Sequence, residues 1–471
     1  MEENRYKRLA GNTLLFAISS FSGKLLSLFV QPYITHAMDE VSDVGVTKLT
    51  SQCANLLIPL VGMGISYAVL RFGLEKGRDR RQVFTDGVFT VMAGFLLMLL
   101  AYPLLRFIPT FSDYAFYLYM YVLMSSLRTL CSQNIRSRQL NRLVAVDGLL
   151  CSACTLGLYV LFLSVLGLGP RGYLMAIFCG DSISTLFMFW AGGLHRYFRP
   201  SYFNKKLLRS MLRYSLPLIP AQISFWIINA SDLFFVNGLC KGYEGQSGAY
   251  WSGLLGTGYF LPTILVTLGT IFYEAWQLSA VTEEKGRERF FSKVFYSYQS
   301  VLFCCAAGII WLCRPLMLIF RSDYYIAWRF VPLLTIATVF SCFNQFLNSV
   351  YMVEKRSSGA LYTMLCGAVF NCILNYYFIK AWGPGGAALA SLLSYLLVFL
   401  LRTLDTRRML RVNYSVRLLA LNLGLLLLES FVQLSNPPFY FIPVTLLTAL
   451  VIAVNFGGVW GMARQILSRH R

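Results

Sequence analysis

The sequence predicts an all-α, polytopic membrane protein of about fourteen transmembrane helices, built as two six-helix bundles with two further helices at the C-terminal end. Three observations predict it. The 471-residue chain is 57% hydrophobic and only 13% charged, too apolar to present a water-soluble surface. Apolar stretches long enough to cross a hydrocarbon core, roughly 20 residues, follow one another with short loops between them. The basic residues gather in alternate loops. About 32 of the 41 Lys and Arg fall on one side, in 1–10, 71–81, 128–142, 196–213, 285–293, 355–356, 402–417 and after 463. The other side holds Arg106, Arg171, Lys241, Arg314, Arg321, Arg329 and Lys380, with Lys24 and Lys48 in or at the edge of spans. Cytoplasmic loops carry the excess of Lys and Arg, so both termini are assigned to the cytoplasm of a multi-pass cell-membrane protein. The same asymmetry accounts for the net charge of +20 and removes the need for a nucleic-acid partner.

The elements follow in order. The first span, 12–36, follows a basic segment and has no short apolar core with a small-residue cleavage site, so it reads as a permanent span and not a signal peptide. Lys24 sits about halfway along it. The second span, 44–72, contains Pro59 and ends in Arg71-Phe72; the third is 83–108. The fourth, 114–135, closes in the polar run Arg128-Thr129-Leu130-Cys131-Ser132-Gln133-Asn134, read as its cytoplasmic end. Spans at 146–168 and 172–194 complete a first half, 1–195, and the basic segment 196–213 connects it to a second.

The seventh span, 214–239, carries Asp232 inside an apolar run, which places it in the bundle interior. The eighth, 248–278, has Pro262 and Glu274 where the second has Pro59 and Arg71, a weak internal repeat. Spans at 291–318 and 326–351 follow, the latter with Asn344, Gln345 and Asn348 on one helix face. The eleventh, 359–381, repeats that pattern with Asn371 and Asn375. The run Gly383-Pro384-Gly385-Gly386 has neither the Lys-Ser/Thr ending nor the preceding strand of a phosphate loop and reads as a tight turn into the twelfth span, 385–404. The second half is therefore 214–405, and 406–471 supplies two additional spans, 416–434 and 439–462, with a basic tail.

Catalytic signals are scarce. The three His are not paired at ligand spacing, and the twelve Cys lie mostly in apolar runs, where a thiol behaves as a small apolar group. Cys151 and Cys154 form a CxxC with no second pair nearby, so neither a metal nor a cofactor is expected. With no nucleotide-binding domain, the expectation is a passive or ion-coupled carrier and not an enzyme. A cation within a span marks a pathway by default. Lys24 is accordingly the expected cavity cation, with Arg71, Asp232 and Glu274 as gating or cavity charges and Asn344, Asn348, Asn371 and Asn375 as polar contacts to a substrate.

Several stretches carry a resemblance. GNTLLFAISSFSGKLLSLFVQPYITHAM in the first span, LLIPLVGMGISYAVLRF in the second, SLPLIPAQISFWIINASDLFFV in the seventh, Glu274-Ala275-Trp276 in the eighth and NCILNYYFIKAWGPGGAALASLLSYLLVF in the eleventh and twelfth together make the chain, from about residue 8 to 405, resemble the bacterial polysaccharide (Wzx-type) flippases. That superfamily also holds the lipid II flippases and the MATE multidrug exporters. The resemblance implies a bacterial plasma-membrane carrier that moves an undecaprenyl-pyrophosphate-linked oligosaccharide from the inner to the outer leaflet by alternating access. Its implied partners are that substrate, membrane lipids, a coupling ion (H+ or Na+), and the polysaccharide polymerase and glycosyltransferases of the same glycan. Two alternatives remain: a MATE-like ion-coupled multidrug exporter, against which the first span offers a Lys and no acid, and a membrane-embedded glycan polymerase, which would need a catalytic outer loop.

Overall fold

The computed structural model describes residues 30–75, 77–100, 102, 112–282, 286–354 and 356–468, with backbone but not side chains at 274, 275, 278, 279, 281, 282, 357 and 461–468. Every regular element among them is helical. After a helical stretch at 30–37 come α1 (Val41–Val61), α2 (Ile65–Leu74), α3 (Arg80–Leu100), α4 (Ala115–Ser137), α5 (Asn141–Tyr159), α6 (Gly169–Ala191), α7 (Lys205–Ser215) and α8 (Ile219–Leu239). Then follow α9 (Gly248–Gly258), α10 (Phe260–Thr282), α11 (Arg287–Met317), α12 (Val331–Val353), α13 (Ser357–Trp382), α14 (Gly385–Thr406), α15 (Val416–Ser435) and α16 (Phe441–Ser468).

Among the described residues, ten continuous helical segments are long and apolar enough to cross a membrane, and two bent pairs, α1–α2 and α9–α10, bring the number to twelve if each is one span. The protein is thus a polytopic all-α membrane protein. Of the fourteen expected spans, the first falls largely outside the described residues. The fourth is α4, long enough but carrying a polar second half. The bends of 50° and 43° fall in the two spans that contain Pro59 and Pro262. At the first, Met63 and Gly64 take positive φ (48° and 61°) and the Gly64 N–H turns back to the Pro59 carbonyl at 3.0 Å. Left-handed backbone is cheap only for glycine, so this break is a built feature.

The chain forms two compact units, Met1–Trp226 and Ile227–Arg471, and the division falls inside α8. In the first, α4 is central and packs against α1, α2, α3 and α6, while α5 packs on α6. Central placement explains its composition, because a helix enclosed by others can carry polar groups that a lipid-facing one cannot. Val69, Phe72, Phe84, Leu130, Ile135, Met188 and Met211 form its main apolar cluster. Close approach of α3 to the end of α1 needs Gly94, where a Cβ would lie 1.9 Å from the Val61 carbonyl oxygen. The amphipathic α7 docks on α2 and α3 by burying Leu207 and Met211. Its N-cap Asn204 accepts from the Lys206 and Leu207 N–H groups, and the Asn204 N–H donates to Asp86 Oδ1 at 2.9 Å.

In the second unit, α14 packs on α12 and α13, α12 packs on α10 and α11, and the C-terminal pair α15–α16 packs on α11. The interior is aromatic, with Trp276, Phe291, Phe295 and Phe346 in mutual ring contact. The glycine run is a turn: Gly383 has φ 63°, the Gly386 N–H bonds its carbonyl at 3.0 Å, and a Cβ on Gly386 would meet the Phe378 carbonyl oxygen at 2.2 Å. Two cations counted with the cytoplasmic loops are elsewhere. Arg402 is buried on α14, where its Nη1 donates to the Asn344 carbonyl at 2.6 Å and its Nε to Thr363 Oγ1 at 3.2 Å. Arg128 lies within the α4 bundle and not at a solvated helix end, because two acids on neighbouring helices hold it there.

Candidate functional site

Three of the expected site residues meet in the second unit. Asp232 on α8 is fully buried and accepts from Tyr259 Oη (2.6 Å), from Asn375 Nδ2 (2.7 Å) and from the Ser391 hydroxyl. Asn375 Nδ2 also donates to Asn371 Oδ1 at 3.0 Å, as does Ser231 Oγ. The cluster joins α8, Tyr259 at the break between α9 and α10, α13 and α14 through hydroxyls and amides, with no cation among the described residues in contact with the carboxylate. Asn371 and Asn375 are likewise fully buried, so both amides face this cluster.

The remaining expected residues are dispersed. Asn344 donates to the Tyr395 carbonyl at 3.0 Å, and Asn348 to Tyr273 Oη at 3.3 Å. Arg71 is exposed at the end of α2, its guanidinium 4.3 Å from the centroid of the Tyr214 ring. Lys24 and the side chain of Glu274 lie outside what the structure describes.

In the first unit, residues that sequence reasoning did not rank line an open cavity of about 520 Å³. Lys48 and Asn55 reach it from α1, Tyr121, Ser125 and Arg128 from α4, Cys151, Ser152, Thr155 and Tyr159 from α5, and Tyr173 and Asp181 from α6, with Gln31 beside them. Helical spacing brings these groups to one side: Tyr121, Ser125 and Arg128 are three or four residues apart, as are Ser152, Thr155 and Tyr159. Tyr159 and Tyr173 stack with centroids 5.1 Å apart and planes 20° from parallel.

The two cations of the wall differ. Lys48 Nζ donates to Gln31 Oε1, and the ion pairs among the described residues do not include it. Arg128 is held by Nη1 to Asp181 Oδ1 at 3.3 Å, Nη2 to Asp147 Oδ2 at 3.6 Å and Nε to Ser184 Oγ at 2.8 Å. Ser184 in turn donates to Asp147 Oδ1 at 2.6 Å. The arrangement offers an anion one ammonium with no carboxylate partner among the described residues, one guanidinium shared between two carboxylates, and several hydroxyls and amides. The signal for it was present in Asp147 and Asp181, acids within apolar runs; the loop-charge rule assigned Arg128 to topology, and the acids were not matched to it. Among the described residues no group of three or more His, Cys, Asp or Glu is placed to hold a metal ion.

No protein-family model matches the chain. It is 25% identical over 194 residues to an uncharacterized membrane protein of Methanocaldococcus jannaschii, a match spanning 41% of this chain and 44% of that protein. Among solved structures it is similar to the lipid II flippase MurJ in an inward closed conformation, with a TM-score of 0.75 at 15% identity over 96% of this chain and 100% of that one. It is also similar to an inward-facing multidrug resistance MATE transporter of the MOP superfamily, with a TM-score of 0.66 at 15% identity over 83% of this chain and 98% of that one. A MOP superfamily transporter from Pyrococcus furiosus gives a TM-score of 0.54 at 15% identity, covering 84% and 94%. At such identities the likeness is one of fold: this chain has the helical architecture common to those flippase and exporter structures.

Proposed function

We propose that this protein is a flippase for an undecaprenyl-pyrophosphate-linked oligosaccharide, carrying it from the inner to the outer leaflet of a bacterial plasma membrane by alternating access. The observation that supports it most is the first-unit cavity with Lys48 in its wall and, among the described residues, no carboxylate paired to that ammonium. An uncompensated cation at membrane depth is costly and is offset by an anion that enters and leaves. A diphosphate supplies at least two negative charges, and stacked Tyr159 and Tyr173 with Asn55, Gln31 and Ser152 match the apolar faces and hydroxyls of sugars. Lys24 stays in the proposal as a further cation of the first half. We retain halves at 1–195 and 214–405, a basic connector at 196–213, two additional helices at 406–471, both termini in the cytoplasm, and H+ or Na+ as the coupling ion.

The MATE-like reading has one observation in its favour, the carboxylate of Asp181 in the cavity wall. That carboxylate is already engaged by Arg128, whereas Lys48 faces the cavity with no carboxylate partner among the described residues. Translocation of a fluorescent lipid-linked oligosaccharide in proteoliposomes tests the proposal. Lys48→Glu should abolish it with the protein inserted at wild-type level, and Lys48→Arg should retain part. Undiminished translocation by Lys48→Glu, or efflux of a cationic dye that Lys48→Glu stimulates, would replace the flippase reading with the exporter.

A further inference from the structure

The contacts of Arg128 are uneven. Its tight bond is the one to Ser184 at 2.8 Å, which Asp147 supports from behind, whereas its contact to Asp181 is a single, longer one at 3.3 Å. A guanidinium has five N–H donors. Two of them make hydrogen bonds here, to Ser184 and Asp181. Of the three charged groups, Arg128 is the most exposed, its side chain 32% accessible against 2% for Asp147 and 9% for Asp181. Arg128 and Asp181 line the cavity and Asp147 does not. Asp181 also has donors of its own, the Ser125 hydroxyl and Cys151 Sγ at 3.7 Å, so it keeps partners when Arg128 turns to another anion.

We propose that Arg128 is a second anion-binding cation of this cavity, held in reserve by Asp181, and that an entering diphosphate takes the place of the Asp181 carboxylate against it. The inference rests on the reading of the cavity as the site of an anionic head group, and adds to it a means of release. The diphosphate outcompetes one carboxylate because it brings more charge and a geometry that a guanidinium fork can meet with two parallel bonds. Asp147 and Ser184 hold the guanidinium in place during the exchange. Asp181, anchored within reach, competes for Arg128 throughout and so keeps the bound head group from being trapped. Asp181 is therefore a specificity-determining group: it lets the cavity bind a diphosphate while discouraging anions of single charge.

Calorimetric titration of the full-length protein in nanodiscs, with inorganic pyrophosphate and with farnesyl diphosphate as probes, tests the exchange. Asp181→Asn keeps the shape and removes the competing charge, so it should tighten diphosphate binding on the order of tenfold. It should also slow translocation, because release loses its competitor. The gain should vanish when Asp181→Asn is combined with Arg128→Gln, and persist in part with Arg128→Lys, which still neutralises Asp147. Tightening for both probes supports recognition of the diphosphate itself; tightening for farnesyl diphosphate alone supports a lipid head group as the occupant. Unchanged or weaker binding of both probes to Asp181→Asn, or a gain that survives Arg128→Gln, overturns the exchange. If tightening occurs in a protein that translocates no lipid-linked glycan, the exchange stands and the flippase reading falls. If translocation depends on Lys48 but Asp181→Asn binds no tighter, the reverse holds.

Discussion

Asp232 and Lys48 show how differently a charge inside a membrane protein can be accommodated. Asp232 is surrounded by donors, and Tyr259, Asn375 and Ser391 all spend a hydrogen on it. Removing that acceptor takes one hydrogen-bond partner from each of three buried donors, and a buried donor left unsatisfied costs about 1–3 kcal/mol. Asp232→Ala should therefore lower the melting temperature in detergent by several degrees, with Asp232→Asn clearly milder, measured by tryptophan fluorescence. A melting temperature unchanged in Asp232→Ala would show that the cluster does not support the second unit. Lys48 has instead one amide and a cavity, which is why its substitution is expected to alter transport before it alters stability. The sequence marked Asp232 by its place inside an apolar run, and Asn371 and Asn375 by their helical spacing. It did not show that they touch, because contact between α8 and α13 is a tertiary fact.

At the scale of elements, close helix approach depends on a few glycines. Gly94 on α3 lies so near the Val61 carbonyl that an added methyl group has no room, whereas Gly308 on α11 has no heavy atom within 4 Å of the same position. Gly94→Ala should sharply reduce the monodisperse fraction on size-exclusion chromatography. Gly308→Ala should leave it unchanged or slightly raised, since alanine favours a helix by about 1 kcal/mol over glycine. Equal behaviour of the two would mean that α1 and α3 are not packed this closely. The bends were partly legible, since the two spans that bend are the ones in which Pro59 and Pro262 stand at matching positions. The location of the first break, at Met63 and Gly64, was not, since a proline removes one hydrogen bond without specifying where the chain turns.

For the whole molecule, the loop charges make a topology that is directly testable. Cysteines introduced at 76–82, 200–210 and 405–412 should be labelled from the cytoplasmic side, and those at 241–247 and 435–438 from outside. External labelling at 200–210 would overturn the span count and the orientation with it. The sequence by itself determined the class and the approximate spans, and it predicts the sidedness. These follow from the length of apolar stretches and the distribution of Lys and Arg, both of which act through the bilayer and need no knowledge of which helix neighbours which. Tertiary structure alone assembled the candidate site. Arg128, Asp147 and Asp181 lie on three separate helices, each with an ordinary reading in isolation: a helix-end cation and two acids in apolar runs. Only the packing of α4, α5 and α6 sets them within ion-pair distance and opens a cavity beside them. A charge is stabilised by what surrounds it in space, and along the chain that environment is distributed over positions whose proximity no local pattern encodes.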